Sequence, residues 1–508
     1  MPFLLGLDIG TTGAKALLLN LDGTVVAVAT SEYPMSTPRP LWSEQNPEDW
    51  WKATQHSFKR VLSKAGVNPD EIVGIGLTGQ MHGLVLLDKN GGILRPCMMW
   101  NDQRTSAQCE SITEKVGLRK LMEVTANPVL PGFTAPKILW VRENEPDIFK
   151  RIAHLLLPKD YIRYRLTGEY ATDVSDASGT SLLDVRQRRW SEEILDVLDI
   201  PKNWMPRVYE SPHVTGTVSQ IGAEMVGIKS GVPVVAGAGD QASGAIGNGI
   251  VIAGTVSVTL GTSGVVFTHT DQLVVEQEGR LHAFCHAVPG KWHVMGVTLA
   301  AGGSLRWFRD TLGQPESAIA QAKNVDSYEV LLEGASKVSA GSEGLVFLPY
   351  LTGERTPHPD PYARGSFIGL TLRHSKSHMV RAVLEGVAYS LRDCLELTKS
   401  LGLEIKQVRA SGGGSRSDLW RQILADVFNT DLVTVTSTEG ASYGAALLSG
   451  VGTGIYQNVN EACERTIHLS AKTVPDVHRA GIYDRYYRIY RDLYPALKPT
   501  FNRISHIL

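Results

Sequence analysis

Within six residues, Asp8-Ile9-Gly10-Thr11-Thr12-Gly13 offers a carboxylate, bare backbone at two glycines and two hydroxyls, with Lys15 close behind. Glycines let main-chain N–H groups approach an anion, and threonine hydroxyls add donors. A carboxylate at the end of an apolar run repels a bare phosphate, yet it suits a divalent cation, held directly or through water. Alone, the stretch also reads as an ordinary tight turn. A second copy, Thr259-Leu260-Gly261-Thr262-Ser263-Gly264, changes that balance, because two such turns can clamp a polyphosphate from opposite sides. Gly10, Thr11, Thr12 and Lys15 face Gly261, Thr262 and Ser263 in this reading.

A third stretch, Gly237-Ala238-Gly239-Asp240-Gln241-Ala242, follows an apolar run and satisfies a dinucleotide-binding pattern. Asp240 would then face a pyrophosphate and repel it, and position 260, where that pattern expects an acid, is leucine. Asp240 fits better as a general base that accepts a hydroxyl proton during phosphoryl transfer. Its competing reading is a cap on the helix starting near Gln241. No Gly-x-x-x-x-Gly-Lys-[Ser/Thr] loop occurs, so the P-loop class is excluded.

Gln80-Met81-His82-Gly83 lies between two apolar runs, so its side chains emerge at a sheet edge, where His82 can meet sugar hydroxyls or serve structure only. Trp100-Asn101-Asp102-Gln103-Arg104 joins an aromatic face to polar groups, a sugar-binding mixture that is also compatible with a plain polar loop. Gly412-Gly413-Gly414 follows a strand-like run and can receive a flat ring against bare backbone. His282 and His286 flank Cys285 at strand spacing and read as packing residues.

Elements must position these groups. Leu4–Ile9, Ala14–Leu21 and Thr24–Ala29 read as strands, the last two joined through Asp22-Gly23. Asn46 caps a helix with Pro47 at its first position and Gly66 past its end. Ile72–Leu77 and Leu84–Leu87 return as strands. The same grammar restarts with Val256–Leu260, Gly264–Phe267 and Val408–Ala410, followed by a helix over Asp418–Phe428. Two similar halves around one cleft, divided near Asn248–Thr255, account for this repetition.

The 508 residues carry 50 Lys+Arg and 52 Asp+Glu, so no global charge favours nucleic acid or anionic membrane. Five scattered cysteines fit reduced, buried thiols. No apolar run reaches the ~18–20 residues of a membrane span, and the chain opens directly on a strand. A soluble cytoplasmic protein is expected.

Together these residues resemble the FGGY carbohydrate kinases, most closely their xylulokinase subgroup. Gly132-Phe133-Thr134-Ala135-Pro136-Lys137-Ile138-Leu139-Trp140 is similar to one family signature, and Gly365–Leu370 continuing into His378–Glu385 to another. Leu41–Gln45, Gln80–Gly83, Leu157-Pro158-Lys159-Asp160-Tyr161, Leu348–Leu351 and Gly353–Pro357 are similar to subgroup segments. The resemblance implies an α/β fold of the two-domain actin, hexokinase and sugar-kinase (ribonuclease H-like) type with an interdomain ATP cleft. Residues 1–247 would form the sugar domain, 248–495 the nucleotide domain and 496–508 a tail. It implies ATP and Mg²⁺ as cofactors and a homodimer. Asp240 becomes the general base, with Asp8 and Asp240 nearest the metal. Met81, His82, Gln241, Trp100 and Asp102 would line the sugar site, and Gly412, Gly413 and Gly414 the nucleoside site. The implied reaction converts D-xylulose to D-xylulose 5-phosphate; ribulose, a deoxy-ketose, glycerol or a silent sugar-binding role are alternatives. Gln241 departs from the asparagine common in the subgroup.

Overall fold

In the computed structural model, which describes residues 2–437 and 439–507, two seven-stranded sheets are built on one plan. The first contains β1 (Phe3–Ile9), β2 (Gly13–Asn20), β3 (Val25–Glu32), β4 (Ile72–Gly79), β5 (Val214–Thr217), β6 (Pro233–Val235) and β7 (Ala238–Gly239). Its order is β5-β6-β4-β1-β2-β3, and β7 continues alongside β4. The second holds β8 (Thr255–Leu260), β9 (Gly264–Thr270), β10 (His282–Cys285), β11 (Trp292–Thr298), β12 (Gln407–Ser411), β13 (Leu432–Val435) and β14 (Leu469–Thr473), in the order β10-β11-β9-β8-β12-β13-β14. Each sheet begins as an antiparallel meander and then adds two parallel strands and a last antiparallel one. The repeated strand grammar of the sequence is this duplication.

Side-chain alternation explains which groups reach the cleft. Along β1, Leu5, Leu7 and Ile9 pack in one core, whereas Leu4 joins the opposite one. Asp8 shares the parity of Leu4 and Gly6, and Lys15 pairs with Asp8 across the ladder. Asn46 caps α1 (Pro47–Ala65) by accepting from Glu48 N–H, and Gly66 closes it at φ 65°. The buried face of α1, including Trp50, Trp51, Phe58 and Val61, covers the first of these cores.

The second core is covered by α4 (Asp240–Gly247) and α8 (Gly440–Gly452); among the other helices, those that matter for the site are α2 (Pro158–Thr167), α3 (Val174–Ala177), α5 (Gly302–Leu312), α6 (Lys376–Ser400) and α7 (Asp418–Phe428). Although α8 lies late in the chain, it sits on β1 and β4. A Cβ at Gly6 would stand 1.9 Å from the Ser442 carbonyl oxygen, and one at Gly76 1.8 Å from that of Ala445. Only glycine allows so close a backbone approach. The last helix, α9 (Val477–Ser505), corrects the expectation of a tail over 496–508. It runs on to Ser505, and Phe501 is buried in the second lobe's core with Tyr483, Tyr487, Tyr490 and Tyr494. Among the described residues no helix is long and apolar enough to cross a membrane.

Candidate active site

Asp240 begins α4, but the cap is Gly239 and no side chain caps the helix end. The carboxylate is thus not spent on capping. Gln241 donates its side-chain amide to Asp240 Oδ1 at 3.3 Å. Burial pushes the Asp240 carboxyl up to about 6, and the N–H groups of Gln241 pull it the other way. A base titrating there is ionised at neutral pH yet retains proton affinity.

Asp8 faces the same space. A cavity of ≈ 850 Å³ is lined by Asp8, Lys15, Asp240 and Gln241 from the first lobe and by Gly412 and Gly413 from the second. Burial, reinforced by the negative charge of Asp240, pushes the Asp8 carboxyl up to about 7, while Lys15 opposes the shift. Asp8 Oδ1 is buried without a hydrogen-bond partner. Two neighbouring half-buried carboxylates, one with a buried, orphaned oxygen, suit Mg²⁺, which typically takes one or two carboxylates and completes its shell with water and substrate phosphates.

A second cavity of ≈ 590 Å³ adjoins the first, lined by Gly261, Thr262, Gly302, Gly413, Gly414 and Trp420. Gly413 and Arg416 border both. Gly412 and Gly414 press on Leu260, whereas nothing stands within 4 Å of a Cβ at Gly413, the open face a flat ring could use. Both cavities have the size of ordinary ligand sites. A separate groove of ≈ 880 Å³, bordered by Glu210, His213, Val288 and Glu461, holds none of the expected site residues.

The carbonyls of the two turns are occupied by other parts of the protein. In the first, Tyr33 donates its hydroxyl to Gly10 O (2.5 Å) and its N–H to Thr12 O, and Gln45 Nε2 donates to Thr11 O (2.7 Å). In the second, Gly302 N–H donates to Gly261 O, and the Ala301 and Gly303 N–H groups donate to Thr262 O, all at the start of α5. With these carbonyls occupied, and the Gly10 N–H donating to Gly13 O at 3.1 Å, the remaining N–H groups are what each turn can present to an anion. Gly10, Thr11, Thr12 and Ser263 do not themselves line either cavity; Asp8 and Lys15, at the base of the first hairpin, do. Lys15 also pairs with Glu439 at 3.4 Å.

On the acceptor side, Met81 lies against Gly239, where a Cβ would stand 2.9 Å from its Cγ. His82 adopts φ +69°, rare for a side-chain-bearing residue. Thr134 Oγ1 (3.1 Å) and Lys137 Nζ (2.9 Å) hold its carbonyl, and Phe133 stacks on its ring at 4.5 Å. Its Nδ1 lies 2.6 Å from Gly179 O. A carbonyl only accepts, so Nδ1 carries the hydrogen and Nε2 is an acceptor. Burial holds the imidazole neutral, lowering it to about 3. Trp100 Nε1 donates to Thr11 Oγ1 at 3.1 Å and so ties the aromatic loop to the first turn.

Asp102 departs from expectation. It is fully buried, Oδ2 accepts from Ser43 N–H at 2.8 Å, and both oxygens accept from Arg104. A buried carboxylate needs such partners, and here they leave it bracing its loop instead of contacting a sugar. The sequence reading also missed Gln45, which bonds Thr11 and accepts from Trp50 and from Gln80 beside Met81. Lys137, Lys159, Asp173 and Ser175 escaped it too. Lys137 and Lys159 sit inside the quoted signature segments, the one signal that could have found them.

A duplicated sheet with one anion-seeking hairpin per lobe, and an unspent acid between them, defines a two-lobed phosphotransferase of the sugar-kinase type. Residues 3–247 match the model of the FGGY family of carbohydrate kinases, N-terminal domain, and residues 256–453 match the C-terminal domain. The chain belongs to this family of carbohydrate kinases, which work with ATP and Mg²⁺. It is 40% identical to the xylulose kinase of Escherichia coli over 97% of this chain and 99% of that one, and 39% identical to that of Bacillus subtilis over 98% of both. The structure of a xyloylose kinase from Brucella ovis superposes with TM-score 0.90 at 39% identity, covering 98% of this chain and all of that one.

Proposed function

We propose that this protein transfers the γ-phosphoryl group of ATP to the primary 5-hydroxyl of D-xylulose, giving D-xylulose 5-phosphate and ADP. Residues 1–247 form the acceptor lobe and 248–495 the nucleotide lobe in this reading. The observation that carries it is Asp240: half-buried at the cleft, without a capping role and, among the described residues, without an ion pair, it follows Gly239, against which Met81 packs, and shares the cavity with Asp8. Its carboxylate takes the hydroxyl proton as the sugar oxygen bonds to the γ-phosphorus and the bond to the β-bridging oxygen breaks in line. His82 Nε2 accepts from a sugar hydroxyl, and Gln241 can turn its amide from Asp240 to the sugar. The first turn, with Lys15, and Gly261, Thr262 and Ser263 hold the phosphates, while Gly412–Gly414 support the nucleoside. Mg²⁺ would be held by Asp8, with Asp240 beside it, and supplies neutralising charge for the β- and γ-phosphates. Closure of the lobes excludes water, so that the sugar receives the phosphoryl group.

The protein is expected to act in the cytoplasm as a homodimer, without nucleic-acid or membrane partners. A panel of D-xylulose, ribulose, a deoxy-ketose and glycerol, read by coupled ADP release, tests the proposal. D-Xylulose is expected to give the highest kcat/KM. A clear preference for another acceptor overturns the substrate and keeps the chemistry; absence of any acceptor-dependent ADP release overturns both.

A further inference from the structure

Beneath the proposed base lies a cluster of charges sealed from water. Lys159 Nζ lies 2.6, 3.0 and 3.3 Å from carboxylate oxygens of Asp160, Asp173 and Asp176, and none of the four side chains has any exposure. Arg163, equally buried, donates to the carbonyls of Val235 (2.6 Å) and Ala236 and to Thr215 Oγ1 (2.8 Å). Asp173 Oδ2 accepts from the N–H (2.8 Å) and hydroxyl (2.6 Å) of Ser175 and from Ser211 Oγ (3.1 Å). Ser175 Oγ in turn accepts from the Gly239 N–H at 3.1 Å.

Buried ion clusters are a poor way to gain stability, because apolar packing of the same volume does as well or better. What distinguishes this one is where its hydrogen bonds go. They hold the carbonyls of residues 235 and 236 and the N–H of residue 239, the backbone that delivers Asp240. The stretch that carries Asp173 and Ser175 runs on to Gly179, whose carbonyl fixes the His82 ring and so reaches the sugar side. It also touches the other lobe through Ser178 Oγ, which accepts from Cys285 N–H at 3.1 Å.

We infer that Ser175, anchored by Asp173 and the Lys159 and Arg163 charges, is a positioning residue that sets where the Asp240 carboxylate stands relative to the acceptor hydroxyl. The inference rests on Asp240 acting as the base. Ser175 touches no substrate; it acts through the Gly239 N–H. A misplacement of ~1 Å at a reacting group can cost roughly 10²-fold in rate, and loss of this bond is expected to cost part of that.

The test is a double-mutant cycle between Ser175→Ala and Asp240→Asn, with kcat and both KM values measured. Ser175→Ala is expected to lower kcat at least roughly 10-fold while leaving the KM for ATP unchanged. In the Asp240→Asn background it is expected to lower the residual rate no further. Wild-type kcat in Ser175→Ala, or an equal loss in both backgrounds, overturns the inference. Full activity in Asp240→Asn alone instead overturns the base itself, so the two failures are separable. If Ser175→Ala does not fold, Ser175→Cys fills the site with a slightly larger, weaker hydrogen-bonding atom; the same cycle and the same outcomes apply.

Discussion

The two anion-seeking hairpins share a backbone and differ in charge. In the first lobe the residue one before the strand end is Asp8, paired across the ladder with Lys15. At the corresponding place in the second lobe Thr259 pairs with Val265, and Thr259 bonds Ser411 at 3.0 Å. The first turn has its carbonyls tied back by side chains of Tyr33 and Gln45, the second by main-chain amides opening α5. Duplication thus preserved the geometry that presents N–H groups and let the flanking pair diverge. A neutral pair suits holding a nucleotide. The charged pair, next to Asp240, suits metal and proton chemistry. The comparison predicts that first-lobe substitutions reduce turnover while second-lobe substitutions raise the KM for ATP.

The largest expected effect is that of Asp240→Asn. Removing a general base costs ~10²–10⁴-fold, so kcat is expected to fall by that factor with the KM for ATP retained; near-normal turnover would erase the division of labour. The same variant has an opposite effect on stability. The folded carboxyl sits near 6, above its ordinary 3.8, so its contribution to stability is full below 3.8 and is lost as pH rises through 6. At pH 8 the neutral amide avoids that loss. Asp240→Asn is therefore expected to melt above the wild type at pH 8, with the gain vanishing as pH falls towards 4.

Asp8→Asn comes next. It removes the carboxylate whose Oδ1 has no protein partner, and is expected to raise the Mg²⁺ concentration needed for half-maximal rate by ~10–100-fold, a range typical of perturbed metal sites. Filling the open face with Gly413→Val is expected to raise the KM for ATP several-fold at unchanged acceptor KM. An equal rise in both would show that the lobes do not separate the substrates.

The pH profile follows from the position of the base. The rate needs ionised Asp240, so kcat/KM for the acceptor is expected to rise with pH up to about 6 and then level off. A profile flat down to pH 5 would move the base elsewhere. Trp100→Phe is expected to be mildest. It deletes one neutral hydrogen bond to Thr11, worth ~0.5–1.5 kcal/mol, and should change kcat/KM only a few-fold.

Local chemistry was legible before any coordinates. The cap at Asn46, the stop at Gly66 and the strand over Leu4–Ile9 depend on neighbours in the chain, and the structure follows them. The duplicated hairpins were legible for the same reason, because turn chemistry is a matter of a few consecutive residues. Asp102 was misread because a polar loop residue looks the same whether it meets a ligand or an arginine two positions on.

What only tertiary structure decided is which distant groups share one space. The charge of Asp240 raises the proton affinity of Asp8 across 232 positions (240 − 8) because β1 and α4 meet at the cleft. Helix α8 lies on the first sheet although it follows most of the second lobe, a placement permitted by glycines whose partners no local pattern reveals. The buried charges under residues 235–239 come from two separate segments, α2 and the stretch from Asp173 into α3, and each charge there is paired with charges of the other. Sequence dictates what each segment can be, since propensity and periodicity act over a few residues. Packing decides what each carboxylate faces, since desolvation and Coulomb energy depend on distance in space and not along the chain.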